Sequence, residues 1–291
     1  IRDYSLNEYN IDHINNGKLL LYLHAKTGEA KYRRAADLLR SQLRTHPRTG
    51  EGGFWHKQIY PFQMWLDGLY MGAPFYTRYA VMFGEPDAFA DVARQFRLSF
   101  QHTLEEKTGL HYHAWDEKRA QFWCDKETGC SENFWGRAMG WYVAAMVDVL
   151  EFFPENHPDR VEIIGFLNAC AAALLDVQDE KTGVWYQVLD QGTRPGNYLE
   201  ASCSCLFVYA LAKGIRNGWL PFALAPRVRR AYEGVITQFV ELYKGGVDLN
   251  KCCQVAGLGN VDERDGTFAY YMREPIIAND PKGVGAFLQA A

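Results

Sequence analysis

Apolar side chains in this chain recur with the spacing of an α-helix, segment after segment, and that pattern restricts the fold more than any other feature. Residues 29–45 (EAKYRRAADLLRSQLRT) put Tyr32, Ala35, Ala36, Leu39 and Leu43 on one stripe. Residues 85–104 do the same with Phe89, Val92, Phe96, Phe100 and Leu104. Residues 132–153 and 159–178 are apolar nearly all round, as expected of helices buried on most sides. The second opens with Asp159 and Glu162, the spacing of a capping box. Further helices are predicted at 12–25, 61–83, 197–216, 222–243 and from 279 to the end, nine in all. No long β-branched alternation separates them, so the expected class is all-α.

The connecting segments carry a weak repeat. KTGLHYHAWD (107–116) matches KTGVWYQVLD (181–190), and TGEGGFWHK (49–57) and RDGTFAYYM (264–272) are looser relatives. Each lies between two predicted helices, and alternating pieces such as L-H-Y-H-A-W read as small β-hairpins. Helix pairs recurring this way suggest a closed toroid of helical hairpins, whose loops at one end gather into a cleft. A flat solenoid would read similarly.

A formal charge of −4 and a pI near 6.1 argue against a nucleic-acid partner, which calls for a basic excess. No apolar run reaches the length of a membrane span, so no membrane partner is expected. The start, IRDYSLNEYN, lacks the basic and apolar regions of a signal peptide, and it also lacks an initiator Met, so export stays open. Seven cysteines, at 124, 130, 170, 203, 205, 252 and 253, include no C-x-x-C pair. They read as reduced, mostly buried thiols of a cytoplasmic protein, with no metal site expected. The Gly-rich pieces follow no strand of a βαβ unit, so no cofactor is expected either.

The stretch YPFQMWLDGLYMGAPFY (60–76) holds one acid, Asp67, the only charged side chain between Lys57 and Arg78. An acid in such company is a helix cap or satisfied buried carboxyl, or it is a proton donor whose pKa is raised by its surroundings. Three other clusters carry chemistry. FWHKQIYP (54–61) holds His56 and Lys57, HYHAWD (111–116) holds His111 and His113, and NFWGRAMGWY (133–142) holds Arg137 among apolar residues. Arg137 is either a core salt-bridge partner or a planar fork for a substrate carboxylate. Trp55, Trp115, Trp135 and Trp141 are packing residues or, with these polar groups, walls of a sugar cleft.

WLDGLYMGAPFY, EGGFWHKQIYPFQMW, ENFWGRAMGWY, NYLEAS and DGTFAYYM together resemble the unsaturated rhamnogalacturonyl hydrolases, family 105 of the glycoside hydrolases. The resemblance runs along essentially the whole chain. It implies one (α/α)6 barrel domain over residues 1–291, with the barrel's first helices and last turns absent from this chain. It implies a hydrolase that removes the unsaturated galacturonyl residue from the non-reducing end of rhamnogalacturonan lyase products, small oligosaccharides. Asp67 would then be the general acid and base, and Asp12 in NIDHINNGKLL the second carboxylate of the site. His56, Lys57, Met71, His113, Trp135, Arg137 and Trp141 would line the pocket. In the implied chemistry, protonation at C4 of the C4=C5 enol ether gives an oxocarbenium ion, and water adds at C5. The alternative activity is the sister one on unsaturated glucuronyl residues. A sugar epimerase using His111 and His113, or a non-catalytic sugar-binding protein, is the rival from another class.

Overall fold

A computed structural model describes residues 4–259 and 264–291. The helices are α1 (Gly17–Thr27), α2 (Ala30–Thr45), α3 (Leu66–Phe83), α4 (Ala88–Thr103), α5 (Gly136–Leu150), α6 (Arg160–Asp176), α7 (Ala201–Arg216), α8 (Ala225–Phe239), α9 (Phe268–Arg273) and α10 (Pro281–Ala290). All nine predicted helices are present, and the short α9 is additional. The predicted helix at 12–25 begins as a 3-10 turn over Ile11–Asn16 before α1.

The helices pair into hairpins: α1 with α2, α3 with α4, α5 with α6 and α7 with α8. Within the ring of hairpins α3 packs on α5, α5 on α7, and α7 on α10, while α4 and α6 meet outside them. Burial follows this layering. α5 is buried at every position but Asp148, whereas α2 and α8 bury one face only. The toroid of helical hairpins expected from the loop repeat is therefore what the chain builds.

Three expectations need correction. Residues 159–178 do not form a fully buried helix: α6 is an outer helix, and Val161 on it is 73% exposed. Its proposed capping box is not made, because Asp159 and Glu162 turn instead to Arg97, at 3.2 and 2.8 Å. The predicted helix at 222–243 stops at Phe239, where the chain enters a two-stranded ribbon, β3 (Val240–Tyr243) with β4 (Gly246–Leu249).

The alternating segment at 110–116 does form a strand, but not in a local hairpin. β2 (Ala114–Asp116) pairs antiparallel with β1 (Gln63–Trp65), so that Trp65 faces Ala114 and Met64 faces Trp115. A third pair joins β5 (Cys252–Cys253) to β6 (Ile276–Ile277). These sheets tie loops of different hairpins to one another. β1 runs directly into α3, and the Leu66 N–H donates to the His113 carbonyl at 3.0 Å. Local pairing thus fixes where the first turn of α3 lies.

Candidate active site

The first turn of α3 carries Asp67, and the helix-start N–H groups there favour a carboxylate. Its neighbours arrive through backbone links. The Ile11 N–H donates to the His56 carbonyl at 3.1 Å, and the His56 N–H donates to the Gln63 carbonyl at 2.8 Å. The Asp12 turn, the His56–Lys57 segment and β1 therefore lie side by side. Together with the starts of α5 and α10 and the segment after β5, they surround a cleft of about 270 Å³.

Of the residues singled out in the sequence, Asp12, His56, Lys57, Asp67, Met71, Trp135, Arg137 and Trp141 all line this cleft. His113 does not. It is fully buried behind Asp67, with Nε2 3.1 Å from Asp67 Oδ2. That approach is an ion-pair distance without hydrogen-bond alignment, and among the described residues neither atom has a hydrogen-bond partner. On the far side of the ring, His113 Nδ1 is 2.9 Å from the Tyr271 hydroxyl.

The pKa direction of Asp67 overturns the sequence expectation. Burial pushes its carboxyl up, but the charge and contact of His113, together with His56, outweigh burial and hold it below the ordinary carboxylate value. The sequence showed an acid alone in its segment; the fold supplies it with a histidine from another loop. Burial also pushes the His56 imidazole down. His56 lies flat against Trp65, 4.3 Å between centroids at 9°, and Tyr60 stacks on Trp65 as well. Asp12 is paired with Lys57 at 2.9 Å and stands 3.6 Å from His56.

The core reading of Arg137 is met by its protein partners. The side chain lines the cleft, yet it is 1% exposed and heavily committed to the protein. Its Nε donates to the Ser202 hydroxyl at 2.7 Å, its other nitrogens donate to the Cys253 and Gln254 carbonyls, and buried Glu200 lies 3.7 Å away. Trp135 is held by a bond from its Nε1 to Gln187 at 3.2 Å, and Trp141 packs on Tyr70 at 4.5 Å. Trp115 and Trp55 are packing residues. The first stacks on His102 at 3.8 Å, the second lies against Phe62, and neither lines the cleft.

Sequence reasoning missed Tyr60, Val255, Ala256, Gly257, Arg264 and Lys282, which together with Trp65 complete the cleft. Arg264 opens the RDGTFAYYM segment noted as a repeat relative, so a signal existed. Nothing in the local sequence distinguishes Val255–Gly257. All seven cysteines are free and buried. Among the described residues, no three His, Cys, Asp or Glu side chains are grouped to hold a metal ion, and no helix is long and apolar enough to cross a membrane.

The family profile described as Glycosyl Hydrolase Family 88 matches residues 2–291. This chain belongs to that glycosyl hydrolase family. A solved structure of a family 105 glycoside hydrolase from C. acetobutylicum ATCC 824 is 55% identical, covers 100% of this chain and 81% of its own, and superposes with a TM-score of 0.98. The resemblance to family 105 is thereby borne out, and the family 88 chain is a glycoside hydrolase. A curated protein of Agrobacterium fabrum is 36% identical over 227 residues, covering 76% of this chain and 96% of the relative. The unsaturated rhamnogalacturonyl hydrolase YesR of Bacillus subtilis is 34% identical over 207 residues, 69% of this chain, and the match spans 57% of YesR.

Proposed function

We propose that this family 88 hydrolase removes the unsaturated galacturonyl residue from the non-reducing end of rhamnogalacturonan lyase products, with Asp67 as general acid and base. The observation that carries the reading is the setting of Asp67. It is 13% exposed, on the cleft, with a buried histidine behind it and tryptophans and cations around it. The name of YesR, 34% identical, supports the substrate class.

An unsaturated uronate is an anionic ring with an electron-rich C4=C5 bond beside the ring oxygen. Lys57, Arg137, Arg264 and Lys282 line the cleft beside Asp12 and Asp67, with Glu200 against Arg137 and Asp280 against Lys282. Cationic side chains on the cleft wall suit a carboxylate-bearing sugar. Indole faces at 65, 135 and 141 suit the C–H faces of pyranose rings. Asp67 delivers a proton to C4, and the cation formed at C5 is stabilised by the ring oxygen. Water then adds at C5 and returns a proton to Asp67. The hemiketal opens and releases the neighbouring sugar, so the two-carboxylate geometry of other glycosidases is not required. In this reading Asp12, held by Lys57, orients water or hydroxyls, and His56 and Met71 shape the pocket. Arg137, already balanced by Glu200, forms a fixed wall near the substrate carboxylate.

The test is loss of ultraviolet absorbance of the enol ether on a panel of lyase products from rhamnogalacturonan, homogalacturonan, ulvan and glycosaminoglycans. The highest kcat/KM is expected on the rhamnogalacturonan product. A preference for a glycosaminoglycan product would establish the glucuronyl activity instead, and binding without turnover on the whole panel would reject catalysis.

A further inference from the structure

Tyr271 has no part in the chemistry just described, yet it is fully buried and its hydroxyl lies 2.9 Å from Nδ1 of the histidine behind Asp67. Its ring stacks on Trp135, 5.9 Å between centroids at 20°, and Trp135 in turn packs on His113 at 4.7 Å. The oxygen is therefore held in place from α9, on a segment far along the chain from both His113 and Asp67.

His113 Nε2 and Asp67 Oδ2 are 3.1 Å apart, both buried and without other partners among the described residues. Two bare lone pairs at that separation repel, and in the resting pair a proton on one of the two atoms relieves the repulsion. The state of the imidazole then depends on Nδ1. A hydroxyl both donates and accepts. Toward the neutral ring that remains once Nε2 has given up its proton, it accepts from Nδ1–H. It can equally accept from Nδ1–H of the imidazolium. A buried imidazolium without that acceptor would hold an unpaired N–H. Burial pushes the Tyr271 phenol well above its ordinary value, so the hydroxyl keeps its own proton throughout.

We propose that Tyr271 is a positioning residue for Asp67: its hydroxyl satisfies Nδ1 of His113 in both protonation states, so that the buried His113–Asp67 pair can carry the proton destined for the substrate. The proposal rests on the reading of Asp67 as general acid. The Nε2 proton of the imidazolium passes through Asp67 to C4 of the sugar, leaving the Asp67 carboxylate and a neutral ring whose remaining proton, on Nδ1, is still accepted by the Tyr271 oxygen. The water that adds at C5 gives its proton back to the pair. Other groups facing the pair are His56, with Asp12 and Lys57 beyond it, on one side. Tyr270, Cys253 and Asp265 face Tyr271 on the other.

The test is the pH dependence of kcat and KM for wild type and Tyr271→Phe, which removes only the oxygen and keeps the ring stack. Loss of the acceptor lowers the proton affinity of the pair. The alkaline limb of kcat is therefore expected to move about 1 pH unit or more toward acid, with a rate near neutral pH lower by about tenfold. KM on the plateau is expected to stay within about twofold. An unmoved limb, or a raised KM with intact kcat, would overturn the proposal. If the variant does not fold, nitrogen NMR of His113 in the wild-type protein decides: the ring is expected to keep a proton on Nδ1 whether or not Nε2 is protonated, and a neutral ring protonated on Nε2 alone would reject the idea. An inactive Asp67→Asn alongside an unmoved Tyr271→Phe profile sinks this inference alone, whereas an active Asp67→Asn sinks the reading beneath it.

Discussion

The ring of His111 is packed by Phe100 at 4.9 Å and Tyr142 at 5.2 Å, and its polar partner is the Thr103 hydroxyl, 2.9 Å from Nδ1. Burial pushes this imidazole from 6.5 down to about 3. His46 is pushed down from 6.5 to about 4, again chiefly by burial, although the Trp55 carbonyl 2.8 Å away works in the opposite direction. Both rings are neutral in the folded chain at pH values where the unfolded chain protonates them. Their contribution to stability is fully present above the unfolded value and is lost as pH falls toward the folded one. The midpoint of urea unfolding is therefore expected to drop steadily from pH 6.5 to pH 4. A midpoint that stays constant across that window would contradict these assignments. Residues two apart on a strand share one face, but the chain bends at His113 before β2 begins. One ring enters the core and the other reaches Asp67. Asp67 itself was legible because isolation among apolar residues is visible in one dimension. Its partnership with His113, and theirs with Tyr271, depends on contacts between distant segments, and no local spacing encodes them.

At the scale of elements, the loop repeat has a physical basis that also reveals a missed copy. Glu105 and Asp179 each accept from the backbone and hydroxyl of a threonine three residues on, Thr108 at 2.8 Å and Thr182 at 2.8 and 2.6 Å. Asp125 does the same with Thr128, at 2.7 and 3.0 Å. In all three a glycine follows in the left-handed region, Gly109 at φ 71°, Gly129 at φ 82° and Gly183 at φ 79°. The match between 107–116 and 181–190 was thus a recurring acid–Thr–Gly turn. The copy at 125–129 lies in the same connection as the 107–116 copy, between α4 and α5. Helix positions were readable from periodicity, but depth was less so, as α6 shows. Close contact between inner helices is set by small residues. A methyl group on Gly140 of α5 would lie 2.8 Å from Leu206 Cδ1 and 2.9 Å from Leu206 Cβ on α7. Gly140→Ala is accordingly expected to destabilise the fold by about 1–3 kcal/mol. Equal urea midpoints for variant and wild type would show that α5 and α7 are not packed this tightly.

For the molecule as a whole, the hairpin ring brings the starts of α3, α5 and α10 to one cleft, together with the turn that precedes α1. Residues from 12 to 282 meet there. That convergence explains why whole blocks such as W-L-D-G-L-Y and F-W-G-R-A-M-G-W identified the family, while Val255–Gly257 and Lys282 remained silent: the blocks are helix starts dense in unusual residues, the others ordinary loop and helix positions. The account depends above all on Asp67 as the group that moves the proton. The direct measurement is the rate of ultraviolet absorbance loss on the unsaturated rhamnogalacturonan disaccharide, comparing wild type with a folded Asp67→Asn protein. The predicted result is a fall in kcat of about 10²–10⁴ or more. Turnover by the Asn protein at a rate close to wild type would contradict the account.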